Sequence, residues 1–189
     1  DGIRIVRVQN VEEAQRYRAS FAGAYQDIFS EPPYNERFFP SEAQGILNRY
    51  LQTPENVCLL AIRGRSKVVG FGIGVPAHSK PDIGRDLRGL LPVNHTYYLA
   101  ELGVLESARG QGLGKLLVAK RLELIEHEVF THVVLRVDPR LPHAWDDEEV
   151  AALCTRVATA IEQDAARSAE LVRGSTLVGT TTALPVIIC

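Results

Sequence analysis

The chain has 189 residues, 46% of them hydrophobic, with 21 Lys and Arg against 23 Asp and Glu for a net charge of −2. That is length and apolar content enough for a single domain over residues 1–189 with a buried core, and the charge balance argues against a nucleic-acid binder. No apolar run approaches the ~20 residues a membrane span needs, and Cys58, Cys154 and Cys189 stand in no metal-ligand spacing, so a reduced, cytoplasmic, metal-free protein is expected.

The sequence contains no methionine, so residues are expected to precede Asp1. "IRIVRV" alternates apolar and basic residues and predicts a half-exposed strand. Asn10 and Glu13 form a capping-box pattern, and Ala14, Tyr17, Phe21, Tyr25 and Ile28 then recur at helical spacing until Pro32 and Pro33 forbid continuation. Ser41 with Gln44 is expected to cap a second, shorter helix ending near Pro54. "NVCLLAI" and "KVVGFGIGV" flank "RGRS" and predict an antiparallel pair joined by a short turn. Residues 76–95 form a long connection bearing Pro and Gly.

Residues 96–105, "TYYLAELGVL", predict a central strand, followed by a helix over about 112–128 with Leu113, Leu116, Leu117, Leu124 and Ile125 on one side. "THVVLRV" predicts another buried strand. Four acids at 146–149 suit the start of a long helix carrying Cys154, with Trp145 packing at its beginning. The tail predicts one or two strands, with Pro185 placing them near an edge. The order β-α-α-β-β-β-α-β-α-β predicts an α/β (α+β) fold around a mixed, mostly antiparallel sheet.

Between the central strand and its helix lies "ESARGQGLGKLL". A strand, a tight glycine loop and a helix N-terminus together make an anion site, because the first amides of the helix lack intrahelical partners and carry the positive end of its dipole. Gly110, Gly112 and Gly114 clear the approach, and Arg109 and Lys115 add charge at the rim. The spacing does not match the dinucleotide fingerprint G-x-G-x-x-G, and Leu116 stands where a P-loop needs Ser or Thr.

Arg109-Gly110-Gln111-Gly112-Leu113-Gly114 does resemble R/Q-x-x-G-x-G/A, the acyl-CoA pyrophosphate loop of the GNAT superfamily of N-acetyltransferases. The element order from Ile3 to about Val137 is similar to that family's layout, while residues from about 145 to 189 are atypical of it. The resemblance implies a slot where the fourth strand splays from the fifth and pantetheine lies along the fourth. Here that strand's end is Leu102, Gly103, Val104 and Leu105, with Gly103 as a bulge residue and the Val104 amide near the thioester. The amides of residues 111–115, Gln111 to Lys115 with Leu113 among them, would hold the pyrophosphate. Acetyl-CoA, or another acyl-CoA, is the implied cosubstrate, and a primary amine the implied acceptor, attacking directly in a ternary complex.

An ammonium is not nucleophilic, so a proton acceptor is needed. Glu101, an acid within an apolar strand, is the candidate base or water-positioning residue; a salt-bridged strand acid is the structural alternative. The family's late tyrosine, which protonates the leaving thiolate, has no counterpart, since no tyrosine follows Tyr98. Tyr98, Tyr97 or His95 could substitute, or no dedicated acid exists. For the acceptor the candidates lie in "FSEPPYNERFF": Glu31, Tyr34 and Glu36 suit a cationic amine. Alternatively this segment only breaks a helix, with Phe29, Phe38 and Phe39 packing on the core. The expected reaction is acetyl transfer to a small molecule. A peptide N-acetyltransferase and a non-catalytic acyl-CoA-binding domain are the alternatives, and strand exchange by the tail would give a homodimer.

Overall fold

Apolar alternation and turn chemistry produce the first unit largely as the sequence predicts. In a computed structural model describing residues 2–136 and 186–188, the chain forms two compact units. One comprises Asp1–Val75 and Glu101–Arg121, the other Pro76–Ala100 and Leu122–Cys189. The strand that crosses from one to the other, β4 (Thr96–Val104), contributes to both.

In the first unit, β1 (Ile3–Val8) pairs antiparallel with β2 (Val57–Arg63) from Ile3↔Arg63 to Val8↔Cys58. β2 pairs antiparallel with β3 (Lys67–Pro76), with a register irregularity at Ala61/Ile62. The Leu105 amide, just past β4, donates to the Val69 carbonyl of β3 at 2.9 Å. β2 and β3 are buried almost throughout, which accounts for their unbroken apolar runs.

The predicted first helix is present, but it is segmented. Asn10 caps α1 (Val11–Ala14) by accepting from the Glu13 amide at 2.9 Å, and Glu13 reaches back to the Gln9 amide. A 3-10 turn, Gln15–Tyr17, separates it from α2 (Arg18–Ser30). With three residues per turn there, Ala14 and Tyr17 stack on one side, and Phe21, Tyr25 and Ile28 continue the buried stripe.

The Ser41/Gln44 cap is corrected. α3 (Pro40–Gln52) is capped at Phe39 and so starts two residues earlier, with Pro40 in the first turn, where a missing amide proton costs nothing. Glu42 accepts from the Phe39 amide at 2.6 Å and does the capping instead.

α5 (Leu113–Leu124) is shorter than predicted, and of the five positions predicted on its buried side Leu113, Leu117 and Ile125 are buried while Leu116 and Leu124 are not. Leu113, Leu117 and Arg121 recur at four-residue steps and are all buried, with Val118 and Leu122 beside them. Leu116 and Leu124 fall one row over and are 44% and 37% exposed. Counting leucines, rather than following the 3.6-residue period through a charged position, is what misplaced the stripe.

In the second unit β4 runs parallel to β5 (His132–Arg136), from Thr96↔His132 to Leu99↔Leu135, and continues to Val104. β5 pairs antiparallel with β6 (Val186–Ile188), which follows Pro185 at the end of the strand order. The fold is the expected α/β mixture on a mostly antiparallel sheet, in which β4 and β5 are parallel.

The 76–95 connection is structured. It holds a 3-10 turn at Ala77–Ser79, helix α4 (Pro81–Asp86) and a second 3-10 turn at Val93–His95. Arg136 bridges Asp82 and Asp86 and so fastens α4 to the end of β5. The predicted helix after 146, together with Trp145 and Cys154, lies outside the described residues.

Candidate functional site

The glycine loop is built by backbone conformations that only its sequence tolerates well. A short 3-10 turn, Glu106–Ala108, follows β4, and the chain reaches α5 through Gly110 at φ 75° and Gly112 at φ 74°. A side chain in that left-handed region costs about 1–2 kcal/mol. The Leu116 amide donates to the Gly112 carbonyl at 3.0 Å, so the amides of Leu113, Gly114 and Lys115 precede the first helical bond. Among the described residues nothing stands within 4 Å of where a Cβ would sit on Gly110, Gly112 or Gly114. Amides without an intrahelical partner at a helix start, beside glycines whose Cβ positions are open, fit a phosphate-bearing ligand such as the diphosphate of CoA.

Arg109, expected at the rim of that loop, is engaged on its near side. Its Nε donates to the Val104 carbonyl at 2.9 Å, and its Nη2 pairs with Glu31 at 2.6 Å. Gln111 lines a groove of about 310 Å³ with Leu113, Leu116, Arg63 and the start of β1. Lys115 is exposed.

On β4, Leu102 is 40% exposed, Val104 and Leu105 are half-buried, and Gly103 is buried. The structure gives Gly103 a packing reason. A Cβ there would lie 2.6 Å from Cζ of Phe71 and 2.9 Å from Cδ1 of Ile28. A glycine lets α2 and β3 close onto β4 at this point.

Glu101, two residues earlier and half-buried, accepts a hydrogen bond from the Tyr50 hydroxyl of α3 at 2.8 Å. Sequence reasoning missed Tyr50. The only signal was a tyrosine on the buried side of an amphipathic helix, a position where such a hydroxyl usually finds a partner. Tyr25 of α2 is close by. Burial pushes its phenol far up from the usual tyrosine range, and the negative charges of Glu101 and Glu36 push it the same way against Arg49. The phenol therefore stays protonated next to the carboxylate. Tyr98 belongs to the second unit, buried and in register with Val134.

The three acceptor candidates separate in the structure. Glu31 is committed to Arg109. Tyr34 packs edge-on against Phe29, ring centroids 5.1 Å apart. Glu36 lines a groove of about 520 Å³ with Gln26, Asp27, Ser30, Arg37, Phe38 and Phe39. Phe29 and Phe38 do pack on Tyr25, at 4.4 and 5.1 Å between centroids, whereas Phe39 is 73% exposed, against the expectation that it joins the core. Among the described residues no group of three His, Cys, Asp or Glu is placed to hold a metal ion, and no helix is long and apolar enough to cross a membrane.

Residues 20–146 match the model of the acetyltransferase (GNAT) family. No curated protein matches the sequence. Similar solved structures include a protein of Pyrococcus horikoshii OT3, at 15% identity and TM-score 0.57, covering 78% of this chain and 86% of that one. An acetyltransferase of the GNAT family from Staphylococcus aureus Mu50 is 16% identical, with TM-score 0.51 over 76% of this chain and 78% of its own. An aminoglycoside acetyltransferase from an uncultured soil sample, solved with sisomicin, is 16% identical with TM-score 0.52, over 76% and 83%. At these identities the structures speak for the fold. The family match covers more than half of the chain and includes both the left-handed glycine loop and the strand before it, and the chain belongs to the acetyltransferase (GNAT) family.

Proposed function

We propose that the chain transfers an acyl group, typically acetyl, from acyl-CoA to a primary amine of a small molecule by direct attack in a ternary complex. The observation that carries this reading is the loop through left-handed Gly110 and Gly112 that presents the Leu113, Gly114 and Lys115 amides at the start of α5. Those amides would hold the diphosphate, with Lys115 adding positive charge beside them. When bound, acetyl-CoA supplies the activated acyl thioester. The backbone of Leu102, Gly103, Val104 and Leu105 would pair with the pantetheine arm, the Val104 amide lying where negative charge develops on the carbonyl.

Glu101 takes the proton of the incoming amine, directly or through water. Tyr50 donates to its Oε1 at 2.8 Å. That bond favours the charged form of the carboxylate, the form a base must have before it acts. Tyr98 is the candidate donor to the departing thiolate. On the acceptor side Glu36 and Asp27 offer two negative charges against the one positive charge of Arg37, and the exposed Phe39 ring offers a face to an ammonium group. An aminoglycoside acetyltransferase is among the similar structures, so aminoglycosides belong in an acceptor screen beside polyamines, amino acids and peptides.

The test is thiol release from acetyl-CoA and longer acyl-CoAs over such a panel, with calorimetry of CoA binding alongside. Glu101→Gln is expected to lower turnover about 100-fold or more while CoA affinity holds. Wild-type protein with no affinity for any acyl-CoA would overturn the reading.

A further inference from the structure

α5 carries a buried cation in a row that otherwise holds leucines. Arg121 follows Leu113 and Leu117 on the buried side and is only 1% exposed. Its Nη1 donates to the Ile73 carbonyl of β3 at 2.9 Å and to the Glu101 carbonyl of β4 at 3.1 Å, and its Nε donates to the Leu117 carbonyl at 3.3 Å. Gly72 of β3 makes the room, since a Cβ there would lie 2.9 Å from Nε and 3.3 Å from Cδ and Cζ. One glycine of the alternating run on β3 therefore exists for this side chain. Burying a guanidinium is costly even when it is hydrogen-bonded, and an apolar side chain of similar volume would fill the space without that cost. What the apolar side chain would not do is hold the backbone of β4 at residue 101.

We propose that Arg121 is a positioning residue for Glu101: it fixes β4 at the Glu101 carbonyl so that the Glu101 carboxylate meets the Tyr50 hydroxyl. The proposal rests on Glu101 being the proton acceptor. The carboxylate is addressed from α3 by Tyr50 and from α2 by Tyr25, whose phenol also feels Glu36 and Arg49. From α5, Arg121 adds a positive charge whose field reaches Cys58 on β2. Glu101 is thus held at its carboxylate by one helix and at its backbone by another.

The test needs no acceptor. The Glu101 carboxyl is titrated by carbon-13 NMR, assigned with Glu101→Gln, in wild type, Arg121→Met, Arg121→Lys and Gly72→Ala. Arg121→Met removes a cation and loosens a hydrogen bond that favours the carboxylate, so the midpoint is expected to rise by about one pH unit. Gly72→Ala presses on Nε, Cδ and Cζ of Arg121 and keeps every polar group, so it remains informative if Arg121→Met does not fold. There the expected rise is about half a unit. Arg121→Lys, which keeps the charge, is expected to restore part of the wild-type midpoint.

An unmoved midpoint in the folded variants overturns the proposal and leaves Arg121 a packing residue. In parallel, thiol release from acetyl-CoA with water as acceptor is expected to fall about tenfold in kcat at unchanged KM in Arg121→Met. Wild type that releases no thiol would sink the acyl-transfer reading, while the titration would still decide whether Arg121 positions Glu101.

Discussion

Gly114→Ala separates what the fold needs from what a ligand needs. Gly114 lies in the first turn of α5, carries no left-handed φ, and has nothing within 4 Å of a built Cβ among the described residues. The protein alone therefore gives no reason for a glycine, and alanine in a helix is favoured over glycine by about 0.5–1 kcal/mol. For a domain of this size that is a rise in Tm of about 1–4 °C. If the amides of Leu113, Gly114 and Lys115 hold a diphosphate, the same methyl group stands between them and the phosphate oxygens. Losing one charge-assisted bond is worth about 1.5–3 kcal/mol, roughly a 10- to 150-fold weaker Kd for CoA. Differential scanning calorimetry and isothermal titration with CoA read the two effects independently. Gly112→Ala is the contrast, because at φ 74° an alanine is strained and Tm should fall. A Gly114→Ala protein that is more stable and binds CoA as wild type does would refute the phosphate role of this glycine. One that is less stable would refute the reading of an unstrained helix start.

Gly103→Ala places a methyl 2.6 Å from Phe71 and should cost about 1–3 kcal/mol by overpacking, read as a lower Tm. Cys58 is wholly buried and its thiol is pushed up to about 12, by burial and against the field of Arg121. A thiol reagent at pH 8 should therefore label it only on unfolding, and labelling of the folded protein at a free-thiol rate would contradict the packing of β2. Burial alone would raise the Asp82 carboxyl, but the Ile83 backbone amide and then Arg136 outweigh it and hold it below its ordinary 3.8. A depressed carboxylate stabilises above its unfolded value and stops doing so as pH falls through the folded one, so the protection of the α4 amides, measured relative to their intrinsic exchange rates, should fall below about pH 4 in wild type and fall less in Asp82→Asn, where only Asp86 still titrates against Arg136.

The parts of the site that were legible in the sequence are those where backbone chemistry restricts residue choice. Two left-handed positions and a helix start demand glycines at fixed spacing, and "RGQGLG" meets that demand whatever surrounds it. Strand limits were legible because β2 and β3 are buried on both faces and bounded by "RGRS". What the sequence hid were contacts between elements far apart in the chain. Tyr50 and Glu101 are 51 residues apart, Arg121 and Ile73 are 48 apart, and no local pattern announces either bond. Arg121 was concealed further by its type, since a charged residue on a helix is normally assigned to the solvent side. The α3 start was misread because Ser41 is a better cap by composition than Phe39, whereas Pro40 at the first position and Glu42 reaching backward decide it.

The pairing of Glu31 changes what that residue can be. As a free acid on the acceptor-side connection it would suit an ammonium ion; bound to Arg109, it joins two parts of the chain instead. The same guanidinium that takes Glu31 holds the carbonyl of Val104, where β4 ends and the glycine loop begins. At Gly103, one residue before, Ile28 of α2 approaches as near as the missing side chain allows. The end of α2 is thus fixed to the end of β4 twice, by apolar contact and by the ion pair. The Arg109–Glu31 pair, 46% and 34% exposed, adds little stability of its own. Its effect is geometric, because the segment carrying Glu36 starts from a point tied to the loop that would hold the diphosphate. Charge for the acceptor then falls to Glu36 and Asp27, the acids that line the groove.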